Sequence, residues 1–172
     1  MPINNNAGEF DELARKYRAF KRSLPNKVAI TAANFFKKNF RLGGFNGKPF
    51  KKWKKPANPR KTGSTLVGAG SGRLRRNIKK LRANFRMVVV GVPANIQYAR
   101  IHNEGGKIPI TPKMRRYFWA MHKKTGNDYY KGLALTKKTH FDMPERKFIG
   151  DSPVLAKELE ELIIGELKKA MT

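Results

Sequence analysis

The stretch SGRLRRNIKKLRANFRMVVVGV, residues 71–92, decides the predicted fold class, because two different periodicities follow one another within it. Its first part spaces four apolar residues along one face of a helix: Leu74, Ile78, Leu81 and Phe85. This spacing predicts a helix from residue 71 to about residue 86. The β-branched run from Met87 to Val92 is too short for a helix and predicts a strand. Together they predict an α+β fold, with helices packed on a small, mainly antiparallel sheet.

Upstream of this stretch, the sequence predicts two further helices. Apolar residues from Phe10 to Phe20 share one helical face between about residues 9 and 24, and acidic residues occupy the first turn, where the helix dipole favours them. Pro25 is predicted to end this helix, and Asn26 to cap the next one. The second helix is predicted to continue to about residue 43.

Downstream, Thr111 and Pro112 are residue types favoured at the cap and first turn of a helix, which predicts a short helix to about residue 124. Residues 129–135 and 140–149 are predicted to be strands or extended segments. Pro153 is predicted to open a closing helix. Residues 1–172 are expected to form a single domain, because ordinary domains have roughly 100–200 residues.

Residues 43–70 are predicted to form a long basic loop or arm, because Gly, Pro and Lys dominate and disfavour regular structure. Within it, four lysines surround a tryptophan, and these five residues are candidates for contact with DNA or an acidic partner: Lys51, Lys52, Trp53, Lys54 and Lys55. Such residues can hold phosphates while stacking bases. Two alternatives remain open: docking on an acidic protein groove, or aromatic residues that only anchor the loop to the domain.

The chain is strongly basic, with 38 Lys and Arg residues against 12 Asp and Glu and a formal net charge of +26. No Asp or Glu lies between Leu13 and Asn103, and this stretch holds 24 of the 38 basic residues. Such a block repels itself unless an anion lies nearby, whereas solubility alone requires a net charge of only about 2–8. A nucleic acid or an acidic protein surface is therefore expected against it. Arg73, Arg75 and Arg76 lie on the outer face of the predicted helix and are further candidate contacts.

Several classes of protein are disfavoured by the composition. The absence of cysteine excludes disulfides, thiolate zinc sites and cysteine nucleophiles. No apolar run reaches the roughly 20 residues that span a bilayer, and the first residues lack a signal-peptide pattern, so a soluble protein with no membrane contact is expected. The three histidines are scattered, and Arg73 replaces the last glycine of a phosphate loop in GAGSGRL, residues 68–74. We therefore expect no enzymatic activity, no metal and no cofactor.

Five short motifs occur in order in the second half of the chain: GSGRL at 70–74, YARIHNEGG at 98–106, ITPKMRRYFWA at 110–120, LALTKK at 133–138 and MPERKFIGDSP at 143–153. This series resembles the phage virion morphogenesis family related to the Mu G-type proteins, which is associated with tail completion. The resemblance covers about residue 70 to the C-terminus, with a weaker echo around Trp53. YARIHNEGG and PERKFIG form its most specific pair, although the family more usually has P-x-R-P-F-I-G in place of PERKFIG.

The resemblance implies a non-enzymatic virion protein, made in the host cytoplasm, that forms a homo-oligomeric ring in the neck or at the tail end. Other phage neck or tail proteins, and packaged DNA, are its expected partners. Arg146, Phe148 and Ile149 of PERKFIG are candidate assembly contacts, because an extended piece can bind a neighbour's sheet edge or groove. The alternative is that Phe148 and Ile149 complete the core. The charge and the basic, aromatic loop support a second functional hypothesis, a sequence-tolerant nucleic-acid-binding protein.

Overall fold

The computed structural model describes residues 7–55, 65–66 and 72–171. Within these ranges, the chain forms six helices and three separate two-stranded antiparallel sheets, so the predicted α+β class is confirmed. The elements are α1 (Ala7–Leu42), β1 (Gly44–Phe45), β2 (Lys51–Lys52), α2 (Arg73–Arg76), β3 (Lys79–Asn84), β4 (Met87–Gly91), α3 (Tyr98–Glu104), β5 (Gly106–Pro109), α4 (Pro112–Thr125), α5 (Asp128–Leu135), β6 (His140–Met143) and α6 (Pro153–Met171). None of the helices in the described ranges has the length and apolar character needed to cross a membrane.

Helix α1 is continuous through Pro25, so the predicted break at this residue is wrong. A proline inside a helix leaves the carbonyl four residues earlier without its N–H donor and costs about 3 kcal/mol. Leu24, Pro25 and Ala29 are all buried here, and this packing offsets the cost. The Ser23 hydroxyl also donates a hydrogen bond to the Phe20 carbonyl at 3.4 Å. The two predicted helices are therefore one rod of 36 residues.

Among the described residues of the segment predicted to be a helix over residues 71–86, only α2 (Arg73–Arg76) is helical, so that prediction is wrong beyond Arg76. Strand β3 follows and runs from Lys79 to Asn84. The Asn84 side-chain oxygen accepts hydrogen bonds from the backbone N–H groups of Arg86 and Met87 at 3.0 and 2.8 Å, which turns the chain back on itself. The returning strand, predicted over Met87–Val92, is confirmed as β4, and it pairs with β3.

Among the later elements, the starts of α4 and α6 follow the sequence predictions, α5 does not, and α3 and β5 were not predicted. Helix α4 begins as predicted, with the Thr111 hydroxyl oxygen accepting a hydrogen bond from the Met114 N–H at 3.2 Å. Helix α5 lies where a strand or extended segment was predicted, because Asn127 caps it by accepting from the Tyr129 N–H at 2.9 Å. Strand β6 covers only the first part of residues 140–149, and the closing helix from Pro153 is confirmed as α6.

The core lies around the second half of α1, which packs against α6 and against both strands of the β3–β4 sheet. An ion pair between Lys27 and Glu166 also joins α1 to α6. Buried side chains of this core include Phe36, Phe40, Trp53, Ile78, Phe148 and Leu155. The aromatic residues therefore come from three distant parts of the chain and meet beside α1.

The first part of the predicted basic arm is a short hairpin folded onto this core. Gly44 of β1 lies opposite Lys52 of β2. A Cβ atom at Gly44 would lie 2.7 Å from the Lys51 carbonyl oxygen, so the close pairing requires glycine there. Residues 56–64 and 67–70 of the predicted arm lie outside the described residues.

Candidate functional site

The PERKFIG segment, residues 144–150, contributes to the centre of the core. Phe148 is only 1% exposed, and its ring centroid lies 5.3 Å from that of Phe40 on α1. Phe40 in turn contacts Trp53 edge-on, with 5.4 Å between the ring centroids. This placement supports the alternative that Phe148 completes the core, and its role as an assembly contact stays a prediction.

PERKFIG is joined to the YARIHNEGG motif by hydrogen bonds that its backbone N–H groups donate. The Asn103 side-chain oxygen accepts from the N–H groups of Phe148 and Ile149 at 2.9 and 3.0 Å. The Arg146 N–H donates to the His102 carbonyl at 3.0 Å. The two most specific motifs of the sequence are therefore partners in one structural unit, which gives a physical reason for their occurrence as a pair.

Asn39 of α1 anchors the same segment from the other direction. It is fully buried, and its side-chain amide donates to the Phe148 carbonyl at 3.1 Å. Its side-chain oxygen accepts from the Asn46 N–H at 3.0 Å, and the Asn46 carbonyl accepts from the Ser152 hydroxyl at 2.7 Å. Asn39 was missed by sequence reasoning, because nothing in the local pattern marks it as buried.

Trp53 is separated by burial from the lysines that were grouped with it. It is 5% exposed, and its indole N–H donates to the Lys147 carbonyl at 2.8 Å. The four neighbouring lysines are exposed: Lys51, Lys52, Lys54 and Lys55. Lys51 forms an ion pair with Glu145 at 3.1 Å. The tryptophan thus anchors the hairpin, as one of the sequence alternatives held, while the lysines around it face outward.

Arg146 is a buried cation that links PERKFIG to the residues after β2. It is 5% exposed, and its Nε donates to the Lys54 carbonyl at 2.9 Å. Burial lowers the pKa of Arg146 below its ordinary value. Burial, and then the positive charge of Arg146, lower the pKa of His102, whose Nδ1 is buried and has no hydrogen-bond partner among the described residues. Arg146 is therefore placed to hold two segments together, and its proposed contact with a neighbour stays a prediction.

Ile149 lies at an apolar groove of about 580 Å³ between α1, β4 and the start of α6. Val28 and Phe36 line it from α1, Val90 from β4 and Leu159 from α6. Ile149 is half-buried. Of the three PERKFIG candidates, it is the one with side-chain surface available to a partner.

A basic cleft of about 540 Å³ lies between α1 and α2. Five residues line it, four of them cations: Asn34, Lys37, Arg41, Arg75 and Arg76. Lys37 and Arg41 are one helical turn apart on α1, a spacing at which like charges repel. The sequence had marked Arg75 and Arg76, with Arg73 beside them, but it could not show which cations of α1 join them. The cleft therefore concentrates positive charge that an anionic ligand or surface would neutralise.

The described residues contain no group of three or more His, Cys, Asp or Glu side chains placed to hold a metal ion. His102 and His140 lie on different elements, α3 and β6. His140 Nε2 lies 3.5 Å from a carboxylate oxygen of Asp142. The surfaces that remain as candidates are the basic cleft, the exposed lysines and the apolar groove.

A family model described as the phage virion morphogenesis family matches residues 7–168. The chain belongs to the phage virion morphogenesis family. The resemblance inferred from the five motifs is thereby confirmed, and the match also includes α1, which carries none of them. No protein of curated function matches the chain, and no solved structure matches it.

Membership of the phage virion morphogenesis family gives the chain a role in building the phage particle. Within this chain, PERKFIG joins α1, the β1–β2 hairpin and α3, so it serves the fold itself. The surfaces that contact other proteins therefore have to be sought among the exposed residues.

Proposed function

We propose that this member of the phage virion morphogenesis family completes the tail or joins it to the head, as a ring subunit in the neck or at the tail end. The family match over nearly the whole chain supports a place in the particle. Identical copies around a tail axis must satisfy rotational symmetry, so a closed ring is the expected arrangement.

The observation that carries this proposal is an uncovered apolar face on the second half of α6. Four large side chains lie there at helical spacing, each between 38% and 59% exposed: Ile163, Ile164, Leu167 and Met171. A contiguous apolar patch of this kind on a soluble subunit is typical of a protein contact surface. A neighbouring subunit would cover it.

The separate sheets offer a second kind of contact. Each sheet in the described part of the chain has only two strands, so β3, β4, β5 and β6 each have one edge without a strand partner. Unpaired N–H and C=O groups along such edges can pair with a strand from a neighbour. The β3–β4 hairpin is the longest of these pairs and our candidate for bridging subunits.

We further propose that the exposed cations contact packaged DNA or an acidic surface of a neighbouring neck or tail protein. These cations are Lys51, Lys52, Lys54 and Lys55 on the hairpin, with Arg73, Arg75 and Arg76 on α2. Of these seven described cations, only Lys51 forms an ion pair, with Glu145, so the charge of the other six is not balanced by a carboxylate of the described residues. A polyanionic neighbour would relieve the repulsion between them.

The proposal is tested by removing the gene product and examining the particles by electron microscopy. We expect unfinished tails, or heads and tails that remain unjoined, and we expect the wild-type gene supplied in trans to restore finished particles. A lysine in place of Leu167 on the apolar α6 face should fail to restore them although the protein remains folded. Glu160→Lys, which introduces the same side chain at a charged position of α6, is the matched control and should complement. Infectious, correctly finished particles without the gene product would overturn the proposal.

A sequence-tolerant nucleic-acid-binding protein is the second candidate function, and the basic cleft favours it. If DNA is the main ligand, the logarithm of the binding constant should fall linearly with the logarithm of salt concentration, by about 0.9 per phosphate contacted on duplex DNA. Replacing Lys37 and Arg41 by glutamine should then reduce that slope by about 2. An assembly held by apolar contacts should respond much less to salt.

A further inference from the structure

The first turns of α1 extend past the core. Residues 8–19 include no buried residue, whereas Phe20 and Leu24 are buried. Phe10 is 69% exposed and Tyr17 is 43% exposed. This part of α1 therefore presents an apolar stripe that the described chain does not cover.

The same turns carry the chain's first acidic group, which consists of Glu9, Asp11 and Glu12. Glu12 forms an ion pair with Lys16 on the same helix at 3.1 Å. Glu9 and Asp11 form no ion pair within the described residues. Residues 8–12 are thus negative and include the exposed Phe10, on a molecule whose net charge is +26, whereas Arg15, Lys16 and Arg18 follow on the next turns.

The basic cleft lies at the opposite end of the same helix. Asp11 and Arg41 are 30 residues apart on α1, which corresponds to about 45 Å at the helical rise of roughly 1.5 Å per residue. Within one chain, the acidic end therefore cannot reach the cleft. Two chains arranged head to tail can bring them together.

We propose that the acidic end of α1 (residues 8–12) of one copy docks in the basic cleft (Asn34, Lys37, Arg41, Arg75 and Arg76) of the next copy. This inference rests on the proposed ring function and names the surfaces that would build the ring. The contact is heterologous, because it joins two different surfaces, and repetition of a heterologous contact closes into a ring when its rotation permits.

Charge complementarity selects a second copy as the occupant of the cleft. Three carboxylates on the helix end would meet four cations, and the pairing would place opposite charges in contact at both partners. DNA in the cleft would also neutralise the cations. It would leave Phe10 uncovered, however, and Glu9 and Asp11 without a partner, so the second copy accounts for more of the observed surface.

Cross-linking between introduced cysteines tests the docking in assembled particles, because the chain has no native cysteine. Gly8→Cys and Asn34→Cys place one thiol at each proposed surface and leave every charge intact. A Cβ at Gly8 meets no atom within 4 Å, so the change is sterically free. With a short bis-maleimide, the double variant should give a ladder of multimers on a denaturing gel. Each single variant can give at most a dimer.

The matched control pairs Gly8→Cys with Gly132→Cys on α5, a position that is likewise open and lies outside the cleft. This control should give no ladder. On the cross-linking background, Arg75→Glu with Arg76→Glu should reduce the ladder by about tenfold or more. Adding Asp11→Lys and Glu12→Lys should restore it, because the charges are then exchanged between the two surfaces.

The outcomes separate this inference from the function on which it rests. A particle that contains the protein but gives no ladder overturns the docking, leaves the ring function standing and makes DNA the favoured occupant of the cleft. A ladder that survives the reversal at Arg75 and Arg76 also overturns the charge-based contact. Particles that lack the protein altogether overturn both the docking and the proposed function.

Discussion

Asn103 and Asn39 hold the backbone of PERKFIG by accepting and donating hydrogen bonds inside the protein. A buried polar group without a hydrogen-bond partner costs about 1–3 kcal/mol of stability. Removing a side chain therefore lowers stability most when it leaves a buried donor without an acceptor. Asn103 satisfies two backbone donors with one oxygen. It is therefore the single side chain on which the position of Phe148 and Ile149 depends most directly.

Asn103→Ala is expected to lower the free energy of unfolding by about 2–4 kcal/mol, because the N–H groups of Phe148 and Ile149 both lose their acceptor. Thermal or urea unfolding followed by circular dichroism measures the change. The control is Asn95→Ala, the same substitution at an exposed residue, with an expected change within about 0.5 kcal/mol. Equal stability of the two variants would show that the hydrogen bonds of Asn103 contribute little.

The environment of His102 predicts a pH dependence of stability. Its pKa in the folded protein lies below the ordinary value, so the folded state holds His102 neutral while the unfolded state takes up a proton below about pH 6.5. Stability should therefore fall as the pH drops below about 6.5. His102→Gln should reduce this dependence in unfolding curves measured from pH 7.5 to 5. His122→Gln, in which His102 is still present, should keep the wild-type profile.

At the scale of the elements, sequence patterns succeeded where the signal is local. The Thr111–Pro112 start of α4 is decided by one side chain and its nearest N–H group, and the prediction was confirmed. The β3–β4 hairpin depends on strand pairing across the turn at Asn84, and the helical spacing of apolar residues in β3 therefore predicted the wrong element. Leu74 and Ile78 of that spacing are buried, whereas Leu81 and Phe85 are about half exposed. Two of the four apolar residues were thus correctly predicted to be buried, although the helix predicted from their spacing is mostly absent.

Gly105 separates α3 from β5 and should not tolerate a side chain. Its φ is +75°, and a Cβ would lie 2.8 Å from the Glu145 N atom, so Gly105→Ala should destabilise by more than about 1 kcal/mol. Gly165→Ala is the matched control inside α6, where a Cβ meets no atom within 4 Å. That change should stabilise by about 0.5–1 kcal/mol, because alanine favours a helix. Unfolding experiments on both variants measure whether the free energy of unfolding falls for Gly105→Ala and rises for Gly165→Ala.

At the scale of the whole molecule, the candidate site combines residues that the sequence keeps apart. Lys37 and Arg41 join Arg75 and Arg76 only because α2 folds against α1, and no periodicity shows which side of a helix a distant segment will cover. The acid-free stretch did contain all four cations, so the positive charge of this surface was predictable from the sequence. The shape of the cleft could be known only from the fold, which places α2 against α1.

Amide hydrogen exchange should divide α1 into two parts. Around Phe36 and Phe40, where the helix is buried in the core, exchange should be slowest, because opening requires loss of most tertiary contacts. Residues 8–19 should exchange fastest within α1 in the isolated subunit. Mass spectrometry on the subunit and on assembled particles measures both. Protection of residues 8–19 that rises on assembly would agree with a covered helix end, and fast exchange in both states would contradict it.

The reliance of the core on a single rod has a consequence for biosynthesis. The ribosome releases α1 early, but α6, which packs along it through Lys27 and Glu166, follows more than a hundred residues later. Until then the nascent polypeptide displays Phe36 and Phe40 without their final cover, a situation that invites aggregation or chaperone capture. Chains truncated before Pro153 should accordingly accumulate as insoluble material, even though they retain every basic residue between Leu13 and Asn103.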